Sequence, residues 1–135
     1  MKRLNLLLLA TLMIFALGVT SCGDDEEAGP TANIEDFLGT YTATDDCLND
    51  EYEVVITKSG DKVNINNLGG LAGTVEATLS GMSLNIASQN GDILGLTQIS
   101  GTATLDSDKT QLTLSYSTSV FGLASINCKG TAGKN

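Results

Sequence analysis

Thr74-Val75-Glu76-Ala77-Thr78-Leu79-Ser80-Gly81-Met82-Ser83-Leu84-Asn85-Ile86 is the stretch that decides the fold. On each side of Ser80-Gly81 the apolar residues occupy every second position: Val75, Ala77 and Leu79 before it, Met82, Leu84 and Ile86 after it. A β-strand sends successive side chains to opposite faces, so each run buries one face and wets the other. The Ser-Gly step between them supplies the positive φ that a tight reversal needs. The stretch therefore reads as an antiparallel hairpin. A parallel sheet is argued against, because its strands are covered on both faces and read apolar throughout.

The same period of two extends from Thr40 to Lys129, with turn residues about every ten positions. Eight strands are expected, over residues 40–46, 52–59, 62–68, 73–80, 82–88, 93–105, 110–118 and 121–129. The sixth is expected to split at Gly95 or bulge at Gly101, since interior glycines weaken strands and permit bends. The inward face then collects Val54, Ile56, Val63, Ile65, Val75, Ala77, Leu79, Met82, Leu84, Ile86, Ile99, Ala103, Leu105, Leu112, Leu114, Tyr116, Ala124, Ile126 and Cys128. Thr, Asn, Ser and Glu fill the outward face. Pro30 is the only proline, so no strand edge is blunted by one, and closing the meander on itself is the simplest way to remove exposed edges. The expected fold class is all-β, an eight-stranded antiparallel meander closing into a small barrel. One short helical turn should precede it. Asn33 or Thr31 can cap that turn, Glu35 and Asp36 suit its first residues, Gly39 stops it, and Ile34, Phe37 and Leu38 face the core.

Upstream, Lys2 and Arg3 precede an apolar run from Leu4 that closes in the small residues Val19-Thr20-Ser21 before Cys22. The run is short and badly flanked for a membrane span and has the layout of a cleavable secretory signal. Val19-Thr20-Ser21-Cys22 resembles the lipobox of bacterial lipoproteins, and the resemblance implies a thioether-linked lipid on Cys22. The following Gly23-Asp24-Asp25-Glu26-Glu27 resembles the acidic segment beside the lipidated cysteine of Bacteroidetes-type surface lipoproteins, which implies display on the outer face of the outer membrane. Read from composition alone, residues 22–32 are a solvated acidic tether. The expected organisation is a signal peptide over 1–21, the tether over 22–32, the barrel over 33–131 and a tail over 132–135.

Cleavage before Cys22 leaves 114 of the 135 residues, enough for one core and one domain. It also removes Lys2 and Arg3, moving the net charge from −9 to −11. Nucleic acid is excluded as a partner, because phosphate binding needs clustered cations and the remaining Lys58, Lys62, Lys109, Lys129 and Lys134 are scattered among acids. Anionic headgroups repel the chain as well, so membrane attachment falls to the lipid on Cys22. In an exported protein the other two cysteines, Cys47 and Cys128, are expected to pair and latch the first strand to the last; two buried thiols are the alternative.

Gly39-Thr40-Tyr41 after the apolar Phe37-Leu38, at the head of a meander, resembles the opening of a lipocalin-type barrel, with Tyr41 in place of that family's Trp. The arginine that packs on the Trp has no counterpart in the motif. The resemblance implies binding of a small apolar molecule. The interior residues Met82, Ile86, Ile99, Leu114 and Tyr116 would line such a pocket, and a fully packed interior is the competing reading.

Histidine is absent, which removes the usual hydrolytic triads and the commonest zinc ligand. The reading is non-enzymatic, with no cofactor. Asp45, Asp46, Asn49, Asp50 and Glu51 offer hard oxygen ligands for Ca²⁺ but match no EF-hand spacing; a plain acidic loop is the alternative. The expected protein is a monomeric, lipid-anchored envelope protein. It either holds a small apolar ligand or acts as an adaptor that contacts a protein or glycan through its outer face.

Overall fold

The computed structural model describes residues 30–135. The expected signal peptide, Cys22 and the part of the expected tether before Pro30 lie outside the described residues. The elements are α1 (Ile34–Phe37), β1 (Gly39–Asp45), β2 (Tyr52–Ser59), β3 (Lys62–Asn66), β4 (Thr74–Ser80), β5 (Ser83–Asn90), β6 (Thr97–Leu105), β7 (Gln111–Val120) and β8 (Ser125–Lys134). Each strand pairs antiparallel with the next, and β8 returns to pair with β1, so the sheet is a closed eight-stranded barrel.

Alternation drives the closure. Val54, Ile56, Val63, Ile65, Val75, Ala77, Leu84, Ile86, Ile99, Ala103, Leu105, Leu112 and Leu114 are all buried, and together they form one continuous core. The β6–β7 register sets Ala103 opposite Leu114 and Gly101 opposite Tyr116. A Cβ at Gly101 would lie 2.3 Å from the carbonyl oxygen of Ser115 and 2.5 Å from Cα of Tyr116, so only glycine lets the two strands pass this closely. The irregularity expected near Gly101 falls on the partner strand: β5 carries one extra residue between Ile86 and Gln89, opposite Ile99 to Gly101.

Several boundaries differ from the sequence reading. β6 begins at Thr97, after Gly95, so Ile93 and Leu94 belong to a loop. The last strand runs Ser125–Lys134 and not 121–129, because residues 132–135 are no tail: Ala132 is fully buried, opposite both Ala43 and Leu112. Ala124 and Ile126 are exposed despite their apolar character. Ile126 keeps the parity of buried Cys128, yet β1 ends at Asp45 opposite Gly130, so the β7–β8 hairpin overhangs its neighbour with no wall across from it. The domain also starts a residue early, since Ala32 is buried and its N–H donates to the carbonyl of Gly81 at 3.1 Å.

Helix α1 plugs the end of the barrel at which the chain enters. Phe37 and Tyr41 are fully buried there, and the Tyr41 hydroxyl donates to the Phe37 carbonyl at 2.8 Å. Burial, reinforced by the fields of Asp106 and Asp36, pushes the Tyr41 phenol up to about 12. The plug is tied down by lysines: Lys58 pairs with Glu35 at 2.6 Å, Lys109 with Asp36 at 2.9 Å, and Lys134 donates to the Asp36 carbonyl at 3.0 Å.

Candidate functional site

In an antiparallel meander the odd-numbered connections share one end. The segments between β1 and β2, β3 and β4, β5 and β6, and β7 and β8 therefore meet at the end opposite α1. The centre of that mouth is Asp45, the last residue of β1. Its Oδ2 accepts the hydroxyls of Tyr52 and Tyr116, each at 2.5 Å, and its Oδ1 accepts the N–H groups of Cys47 at 2.9 Å and Leu48 at 2.8 Å. Burial pushes the Asp45 carboxyl up, but the two hydroxyls and two backbone N–H donors outweigh it and hold the group below its ordinary value. The tyrosines respond in the opposite sense. Burial first, and then the bond to the carboxylate, raises both phenols well above the usual range. Gly69, at φ 65°, brings its backbone against the Tyr116 ring, where a Cβ would sit 3.0–3.2 Å from ring and hydroxyl atoms. Beside it Leu68 is buried in the short 3-10 turn Leu68–Gly70.

The Cys47–Cys128 disulfide stitches the β1–β2 segment to β8, the latch expected between first and last strands. The acidic residues expected to hold Ca²⁺ are not brought together. Asp45 is consumed by its four donors, Asp46 accepts the N–H of Lys129 at 2.6 Å, and Asn49, Asp50 and Glu51 are exposed. Among the described residues, the one potential metal-ligand trio within reach of a common point is Asp46, Cys47 and Cys128, and both of its sulfurs are bonded to each other. Of the expected ligand-lining set, Ile86, Ile99, Leu114 and Tyr116 are buried in the barrel, with Ile86 and Tyr116 on either side of Gly101. Met82 is separate. It lies in the β4–β5 turn at the plugged end, half-buried, its carbonyl accepting from Leu105.

What sequence reasoning missed is the rim. Every large apolar residue exposed among the described residues lies at the mouth: Leu48, Ile93 (80%), Leu94 (77%), Leu96, Val120, Phe121 (69%), Leu123 (72%) and Ile126. Ile93, Leu94, Phe121 and Leu123 are each more than two-thirds exposed, a concentration of apolar surface of the kind that marks an interaction site. The two contributing loops are held together. Phe121 N–H donates to the Leu96 carbonyl at 2.9 Å, and Asp92 Oδ1 accepts the N–H groups of Leu96 and Thr97 at 2.9 and 3.0 Å.

The tip of the β7–β8 hairpin is itself unusual. Phe121 (φ 55°) and Gly122 (φ 66°) are consecutive left-handed residues, with Leu123 N–H donating to the Val120 carbonyl at 3.0 Å. Asn, Asp or Gly ordinarily fills the first of these positions, and an L side chain without a compensating local hydrogen bond pays roughly 1–2 kcal/mol there. That strain places a phenylalanine at the outermost point of the hairpin, which points to a role outside the fold. A signal was present in the sequence: no charged residue occurs from Ile93 to Leu105 or from Thr110 to Cys128, in a chain of net charge −9.

Both ends of the barrel carry six acids, but the lysines are unevenly shared: Lys58, Lys62, Lys109 and Lys134 lie at the plugged end among Glu35, Asp36, Asp61, Glu76, Asp106 and Asp108, three of them holding α1, whereas the mouth carries Asp45, Asp46, Asp50, Glu51, Glu53 and Asp92 against Lys129 alone. No protein-family model matches the chain, and no curated protein matches it.

Proposed function

We propose that this chain is a non-enzymatic, lipid-anchored protein of the bacterial cell envelope, displayed from the outer membrane, that works by binding through the barrel mouth. The observation that carries the reading is the polarity of the barrel. The chain from the expected lipid site at Cys22 enters at the plugged end, and the exposed apolar side chains crowd the opposite end. A tether reaching the plugged end leaves the mouth clear of the attachment point.

The adaptor reading is favoured over an interior ligand carrier because the rim is already exposed, whereas Ile86, Ile99 and Leu114 are buried in the barrel and Tyr116 is tied to Asp45. The lipocalin resemblance lends the carrier reading one point of support. Lys134 Nζ sits 5.7 Å from the centroid of the Tyr41 ring, a cation on the ring where that family places an arginine on its Trp. Cys22→Ala tests the anchor: the variant should leave the membrane fraction, and full retention would contradict the proposal. A panel of apolar small molecules tests the carrier alternative. A ligand that raises the melting temperature of the wild-type protein in a concentration-dependent way would displace the adaptor reading.

A further inference from the structure

Resting on the adaptor reading, we propose that the mouth docks one kind of partner: a protein surface that is apolar at its centre and flanked by Lys or Arg. The rim gathers the exposed large apolar side chains of the described residues at one end of the barrel, as the apolar centre of a protein–protein interface does. Its composition fits as well. Phe121, Leu123, Ile93 and Leu94 form an uncharged centre, and Asp46, Asp50, Glu51 and Asp92 lie in the adjoining segments.

Those flanks discriminate between occupants. A second copy would bring the same acids face to face, and a bilayer with anionic headgroups would repel them, whereas a basic-flanked protein is attracted from a distance and oriented on approach. The surface is also prepared for docking. The Phe121–Leu96 backbone bond, the Asp92 bonds and the Cys47–Cys128 link hold the loops in place, so little ordering remains to oppose association. Phe121, kept in a left-handed conformation at the tip, is the natural anchor.

The test uses the full-length lipoprotein in the cells that make it. A photo-crosslinking p-benzoylphenylalanine is placed at Leu94 in the rim and, as a control, at Asp61 in the β2–β3 turn of the plugged end. The adducts are mapped by mass spectrometry. The expected result is a protein adduct specific to position 94 whose crosslinked segment is apolar with flanking Lys or Arg. Its yield should fall about fivefold or more with Phe121→Ser plus Leu123→Ser, and about threefold with Asp50→Lys plus Glu51→Lys. All four altered side chains are exposed, and an unchanged melting temperature verifies that the barrel is intact. An adduct to a second copy, an adduct to lipid alone, a partner segment flanked by acids, a yield indifferent to either pair of changes, or equal labelling from position 61 would each overturn the proposal. Failure of the anchor is read separately, by membrane fractionation of Cys22→Ala.

Discussion

Asp45→Asn removes one charge and keeps the shape, so its cost measures what the carboxylate does at the mouth. Hydrogen bonds to a charged group contribute about 1.5–3 kcal/mol and neutral ones about 0.5–1.5 kcal/mol. An asparagine amide oxygen can still accept the N–H groups of Cys47 and Leu48, now as neutral bonds. Its NH₂, however, meets the hydroxyls of Tyr52 and Tyr116, which must both turn round and find other acceptors. The expected loss is therefore about 2–4 kcal/mol. For a domain of this size each kcal/mol lowers the melting temperature by roughly 4–8 °C, so the fall should be on the order of 15 °C. Urea unfolding of the full chain, followed by tyrosine fluorescence and far-ultraviolet circular dichroism, reads the loss directly. Asp46→Asn is the control: its carboxylate holds the single N–H of Lys129 at an exposed position, and it should cost under about 1 kcal/mol. Equal small losses in the two variants would refute the reasoning, because Asp45 would then not be the hub of the mouth.

Other outcomes follow from the same contacts. Reducing the Cys47–Cys128 bond frees a loop with a sequence separation of 81, for which chain entropy gives a loss of up to about 4.5 kcal/mol; a fall in unfolding free energy under 1 kcal/mol would show that the latch does not constrain the unfolded chain. Stability should be flat through neutral pH, since the chain has no histidine to titrate there. Asp45, Glu35, Asp36 and Asp106 have depressed folded values, so their contribution is complete above the ordinary carboxylate range and disappears as pH falls through those values. Tyr41 has a raised value, so its contribution is complete below pH 10 and is lost on rising through about 12. A denaturation midpoint that moved between pH 6 and 8 would contradict this assignment. Gly101→Val should abolish folding, or cost several kcal/mol by displacing β7 from β6, and a normal melting curve would refute the close approach at that position.

The barrel walls were legible because from β2 to β7 the inward residues are large and alternate with Thr, Asn, Ser and Glu. The ends were not. Gly130-Thr131-Ala132-Gly133 has no large apolar residue to mark it as core, yet Ala132 is fully buried between Ala43 and Leu112. Ile126 had the right parity and the wrong fate, because parity fixes a direction and says nothing of whether a wall stands opposite. The rim was hidden for a related reason. Ile93, Leu94, Phe121 and Leu123 look like strand residues, and only the positions of the turns reveal them as loop tips. Asp45 read only as one of five candidate oxygen ligands or as part of a plain acidic loop, since nothing in the sequence marks Tyr52, 7 residues away, as its partner, and Tyr116, 71 residues away, meets it only once the barrel closes.

The closure of the barrel, the burial of Ala132 and the meeting of Asp45 with Tyr116 all follow from the seam between β1 and β8. Nuclear Overhauser contacts across it, with Ala43 opposite Ala132 and Thr44 opposite Thr131, are the measurement to make. Those cross-strand contacts should be present together with the β7–β8 pairing of Leu112 with Ala132. A spectrum that held the β7–β8 contacts and lacked every β1–β8 contact would mean an open sheet, and the closed barrel described above would not exist.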